Sequence, residues 1–168
     1  NAGFLAVDIL ARKHDVLYRV KKEYELAETD FYTERVYLAK PLTFMNLSGR
    51  AVRKLRRKLG LEPSHILVIH DDIDLRPGTI RIKRGGSSGG HLGVESIIKE
   101  LGTDDFARIR IGVGRPPEGV DPADFVLAEM EDDEWEEFFS WCEEAAAAAE
   151  AVVMDGLDTA MNLFNSRK

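Results

Sequence analysis

An α/β fold is what the order of patterns along this chain predicts: one single-domain, three-layer sandwich over residues 1–168, built on a twisted mixed sheet. Three observations carry that expectation. Strand-like and helix-like periodicities alternate from one end to the other. The run Ile66-Leu67-Val68-Ile69 is continuously apolar, as in a strand buried on both faces. A length of 168 residues with 44% hydrophobic content supports one real core but not two of equal size.

Each element follows from local chemistry. Phe4, Val7, Leu10 and Ala11 share one face of a helix over residues 2–13. Residues 16–26 read as a strand or an irregular link. Residues 34–39 form a strand stopped by Lys40-Pro41. Leu47, Ala51, Val52, Leu55 and Leu59 then mark an amphipathic helix, with Gly60 ending it and Pro63 beyond. After the apolar strand 66–69, Pro77-Gly78 turns the chain into a strand over 79–83. A glycine-rich loop leads to a helix from about 91 to 101, and residues 106–113 are a further strand ended by Gly114-Arg115-Pro116-Pro117. A long helix over 132–154 and a short one over 158–165 close the chain.

Composition narrows the function classes. The net charge of −7 is unevenly spread, with 21 basic and 15 acidic residues up to position 115 but 2 and 15 beyond it. The body of the chain is therefore mildly basic and compatible with an anionic partner, whereas the C-terminal third reads as an acidic solvated surface. The single cysteine, Cys142, excludes an internal disulfide and fits a reducing compartment. No stretch has the length of a membrane span, and the apolar opening lacks a basic leader and contains Asp8.

Three segments carry candidate chemistry. Gly85-Gly86-Ser87-Ser88-Gly89-Gly90 joins a strand to a helix, where backbone amides can face an anion or a carbonyl oxygen; glycines that only permit unusual dihedrals are the simpler account. It is neither a Walker A motif nor a dinucleotide fingerprint. His91 at the following helix start favours a neutral ring able to hydrogen-bond a substrate. In His70-Asp71-Asp72-Ile73-Asp74, Asp72 and Asp74 suit a turn, while Asp71 at a strand end suits orienting an imidazole that takes a proton from water. A magnesium ion held by Asp72 and Asp74 is the weaker reading of the same carboxylates. Asn46 follows Phe44 and Met45 just before a helix, as an N-cap or as an amide that polarises a carbonyl or fixes a water. Ser48 lacks the elbow that serine nucleophiles need.

In order and spacing, Lys40-Pro41-Leu42-Thr43-Phe44-Met45-Asn46-Leu47-Ser48-Gly49, His70-Asp71-Asp72-Ile73-Asp74-Leu75, residues 85–93 and Arg108-Ile109-Arg110-Ile111-Gly112-Val113-Gly114 resemble bacterial peptidyl-tRNA hydrolases, with Asp124-Phe125-Val126-Leu127 and the C-terminal helix fitting as well. The resemblance spans essentially the whole chain. It implies hydrolysis of the ester between peptide and tRNA, recycling tRNA from aborted translation, by a cytoplasmic monomer that needs no metal or cofactor. It also implies a histidine general base held by Asp71, with Asn46 at the reacting carbonyl. Phe44, Met45, Asn46 and His91 would hold the substrate. Lys83 and Arg110 look like the basic pair with which related enzymes grip a phosphate of the acceptor stem near the 3′ end; exposed solubilising charges are the alternative for each.

Two departures from the family pattern shape the expectations. The family's catalytic histidine stands immediately before Asn-Ala-Gly, matched by Asn1-Ala2-Gly3, so none of His14, His65, His70 or His91 holds that place. The chain as given would also lack a first strand, with a selectivity asparagine and a tRNA-contacting tyrosine, and would be inactive or nearly so. Secondly, Leu92 stands where a substrate-binding asparagine is frequent. The rival readings are a non-catalytic RNA-binding or splicing relative of the same fold, and a nucleotide or phosphate-ligand module built on the glycine loop. The stripe Arg50, Arg53, Lys54, Arg57 and Lys58 is a solvated helix face first and an RNA-facing surface second.

Overall fold

Alternation of inward and outward side chains between Tyr24 and Pro41 closes into a hairpin. In the computed structural model, which describes residues 1–121 and 130–167, β1 (Arg19–Val20), β2 (Tyr24–Phe31) and β3 (Glu34–Pro41) form one antiparallel sheet in the order β1-β2-β3. Its register runs from Tyr24↔Pro41 to Phe31↔Glu34, so only Tyr32 and Thr33 make the turn. Residues 16–26 thus hold a short strand and the start of a longer one. Pro41 does not stop the strand early: it is the last residue of an edge strand, where no ladder donor is required.

The chain divides into two compact units, and each is described by itself. One contains residues 10–68 and 83–108. Within it, α2 (Ser48–Leu59) ends at Gly60 in the left-handed conformation, as predicted. Its apolar face lies on the hairpin, burying Ala51 and Leu55 with Tyr24 and Leu26. A second cluster joins Val94, Ile97 and Phe106, with Val52 and Val68 packed against it. Helix α3 (Leu92–Leu101) supplies two of these residues. It approaches α2 closely because Gly49 has no side chain: a Cβ there would stand 2.2 Å from the Ser96 carbonyl oxygen. The Gly49 amide also donates to Ser96 Oγ at 2.9 Å.

The other unit contains residues 1–9, 69–82 and the chain from 109 onward. Its long helix α4 (Asp132–Asp155) starts with a reciprocal capping box between Glu131 and Glu134 and buries Cys142 among alanines. In α5 (Leu157–Asn165), Asn165 acts as a strand surrogate, accepting from the Ile82 amide and donating to the Ile82 carbonyl, each at 2.8 Å. Helix α1 (Ala2–Lys13) and the strands β4 (Leu67–Asp72), β5 (Ile80–Arg84) and β6 (Ala107–Gly112) each contribute residues to both units.

These last three strands form a second sheet in the order β4-β6-β5. It is mixed. Ala107 and Val113 donate to Ile66 and Asp72, so β6 runs parallel to β4; Gly85 and Gly78 donate to Phe106 and Gly112, so β6 runs antiparallel to β5. The single mixed sheet expected from the sequence is therefore corrected to two three-stranded sheets. The reason is local: β1, β2 and β3 are consecutive and joined by short turns, so their ladders close on one another. The segment Asp124-Phe125-Val126-Leu127 lies outside the described residues.

Candidate functional site

Asn46 owes its position to a turn that satisfies its own backbone. Residues Met45–Leu47 form one 3-10 turn, closed by the Leu47 amide on the Phe44 carbonyl at 2.8 Å, while Ser48 Oγ donates to the Met45 carbonyl at 2.8 Å. The side chains are thereby freed outward. Phe44 is 81% exposed, and Met45 and Asn46 are exposed as well. The cap of α2 is Leu47, without a side-chain hydrogen bond, so Asn46 is not the N-cap. Its amide has no hydrogen-bond partner among the described residues.

His91 is the N-cap of α3. Its Nδ1 accepts from the amides of Gly93 and Val94 at 3.1 and 3.2 Å. An accepting Nδ1 carries no hydrogen, so the neutral ring carries it on Nε2, as a donor. Met45 packs beside this ring: a Cβ on Gly93 would meet Met45 Sδ at 2.7 Å and the His91 ring at 3.0 Å. One unit thus brings Phe44, Met45 and Asn46 together with His91. Leu92, 57% exposed, adds an apolar surface next to it.

The glycine loop differs from a ligand cradle. Its Gly85 amide donates to Phe106, Gly86 to the Asp104 carboxylate, Gly90 to Ser88 Oγ, and the His91 amide to the Ser88 carbonyl. Four donors that could have faced an anion are already used. From beneath, Arg108 donates to the carbonyls of Ser87 and Gly86, both at 2.7 Å, and of Asp104 at 3.3 Å, with its guanidinium 4.5 Å from the centre of the Phe106 ring. Arg108 is 1% exposed. The sequence reading passed over this anchor. The available signal was an arginine set between Phe106 and Ile109 in a strand otherwise apolar at that end. Lys83 runs along the same loop, its Nζ 3.1 Å from the place of a Cβ on Gly86.

Asp71 and Arg110 lie in the other unit. Asp71 is the penultimate residue of β4 and partly buried, and its carbonyl accepts a hydrogen bond of 2.7 Å from Nδ1 of the buried His70 ring. Asp72 accepts from the Asp74 amide at 2.8 Å, which is the turn expected of those two carboxylates. Both are also ion-paired: Asp72 with Arg110 at 3.3 Å, and Asp74 with Arg115. Arg110 is therefore held by a carboxylate and only about a quarter exposed. Burial pushes the Cys142 thiol up to about 12, which makes it a small apolar residue rather than a nucleophile. No helix among the described residues is long and apolar enough to cross a membrane.

Comparison with known proteins gives a consistent result. The family described as Peptidyl-tRNA hydrolase matches residues 1–168. The peptidyl-tRNA hydrolase of Moorella thermoacetica is 47% identical over 167 residues, covering 98% of this chain and 88% of its own. That of Desulfitobacterium hafniense is 44% identical over 165 residues, covering 98% and 89%. Among solved structures, the crystal structure of peptidyl-tRNA hydrolase from Acinetobacter baumannii superposes with a TM-score of 0.91 at 30% identity, covering 100% of this chain and 86% of that one.

Proposed function

Because this chain belongs to the peptidyl-tRNA hydrolase family, we propose that it hydrolyses the ester joining a peptide to the terminal ribose of tRNA, as a cytoplasmic monomer without metal or cofactor. The observation that carries the reading is the Asn46 amide, exposed and without a hydrogen-bond partner among the described residues, on a turn that also offers Phe44. A polar group held ready and unsatisfied by its own fold is what a developing oxyanion requires. His91, donating through Nε2 beside Met45, supports a second contact to the peptide portion.

In this mechanism a histidine takes a proton from water, and Asp71 fixes that imidazole's tautomer without itself accepting the proton. The hydroxide adds to the ester carbonyl carbon while Asn46 stabilises the oxygen. The bond from that carbon to the ribose oxygen then breaks, and the ribose oxygen takes up the proton, releasing the peptide acid and tRNA. Lys83, along the glycine loop, and Arg110, in the other unit, are each assigned a contact to tRNA phosphate, made through backbone charge and shape. The phosphate-module alternative loses ground because the glycine loop spends four amides internally.

The reading is tested by hydrolysis of peptidyl-tRNA, comparing the parent protein with Asp71→Asn. The variant is expected to turn over at least about a hundredfold more slowly, because an imidazole without its orienting carboxylate no longer takes the proton from water. Equal turnover would remove Asp71 from the mechanism.

A further inference from the structure

The basic stripe of α2 is not a uniformly solvated face. With the end of the β1–β2 turn and the C-terminal part of α3, it lines a groove of about 530 Å³ whose wall consists of Glu23, Arg50, Arg53, Lys54, Arg57 and Glu100. Two of the cations are fixed in place: Arg53 pairs with Glu100 at 2.9 Å, and Lys54 with Glu23 at 3.4 Å. Arg50 and Arg57 have no ion-pair partner among the described residues, and both are exposed. They sit seven positions apart on the same helix face, a span of roughly 10 Å along the axis. The groove thus presents two guanidinium groups without an ion-pair partner among the described residues, along one helix face, on the part of a negatively charged chain where basic residues outnumber acidic ones.

We propose that this groove binds the phosphate backbone of the substrate tRNA, through residues other than Lys83 and Arg110. The inference rests on the reading of this chain as a peptidyl-tRNA hydrolase and adds a second phosphate site to it. The chemistry follows from the residues. Planar guanidinium groups pair with phosphate oxygens bidentately and are less strongly hydrated than ammonium groups. Glu23 and Glu100 hold Lys54 and Arg53 close to the helix, leaving Arg50 and Arg57 free to swing onto consecutive phosphates. A contact of this kind reads charge and shape, not base sequence. A contact to the backbone alone treats tRNAs of different sequence alike.

The test is binding of deacylated tRNA, measured by fluorescence anisotropy across a salt series, for the parent chain, for Arg50→Gln with Arg57→Gln, for Arg50→Lys with Arg57→Lys, and for Lys83→Gln. The double glutamine variant is expected to bind about tenfold more weakly at low salt, with the slope of log affinity against log salt reduced by about 1.5, as two lost phosphate contacts require. The double lysine variant is expected to recover most of the slope, because it keeps the charges, which separates electrostatics from misfolding. Unchanged affinity and slope in the double glutamine variant, with Lys83→Gln weakened, would overturn the groove assignment and leave the Lys83 contact standing. No change in any variant would remove both. Parent binding to poly-glutamate that competes with tRNA and is lost in the double glutamine variant, while tRNA affinity is unaltered, would also overturn it and make the groove a site for acidic protein.

Discussion

Two neighbouring segments of one unit use their polar groups in opposite ways. The glycine loop over 85–90 looks like a ligand cradle, yet it turns its backbone inward: Arg108 takes the carbonyls of Gly86 and Ser87, and four loop and helix-start amides have protein acceptors. The turn before α2 looks like an ordinary helix start, yet it turns its side chains outward and leaves the Asn46 amide without a hydrogen bond among the described residues. Satisfied groups build a support, and unsatisfied ones stay available to a ligand. The loop sets His91 at the start of α3, while the turn exposes Phe44, Met45 and the Asn46 amide.

The sharpest way to break that contrast is to remove the loop's anchor. Arg108→Met leaves three part-buried carbonyls without this donor and should cost about 2–4 kcal/mol of stability, measured by chemical denaturation. Loss of under about 1 kcal/mol would mean that the loop stands by itself. On the other side of the comparison, Asn46→Ala should lower kcat on peptidyl-tRNA by about 100- to 1000-fold. Its thermal midpoint should stay close to the parent's, because an exposed side chain without a hydrogen bond contributes little to folding. A large stability loss would show that the turn depends on the amide and would merge the two regions into one kind.

Smaller effects refine the distinction. Phe44→Ala should raise KM several-fold while changing stability by no more than about 0.5 kcal/mol, since an 81% exposed ring has little folding role. Gly89 has φ +60 and nothing within 4 Å of the place of a Cβ, so Gly89→Ala tests backbone conformation alone. It should cost about 1 kcal/mol, with activity preserved. An activity loss larger than the stability loss would give the loop a direct part in binding, contrary to its internal hydrogen bonding.

Much of this protein was determined locally, and is legible for that reason. Helix periodicity located α1, α2, α3, α4 and α5 to within a few residues, because an apolar stripe at 3.6-residue spacing has few other ways to be buried. The Asp72–Asp74 turn and the Gly60 helix end followed from side-chain and backbone chemistry within a few positions. Relations between distant residues were decided only by tertiary structure. That β1, β2 and β3 form a sheet of their own depends on which ladders close, and an alternating strand pattern does not name its partner. The same holds for the Arg108 guanidinium under the glycine loop, for Arg110 against Asp72, and for the choice that left Asn46 without a cap to serve. Each is a hydrogen-bonding decision between groups that meet only once the chain has folded, so spacing along the sequence carries no record of it.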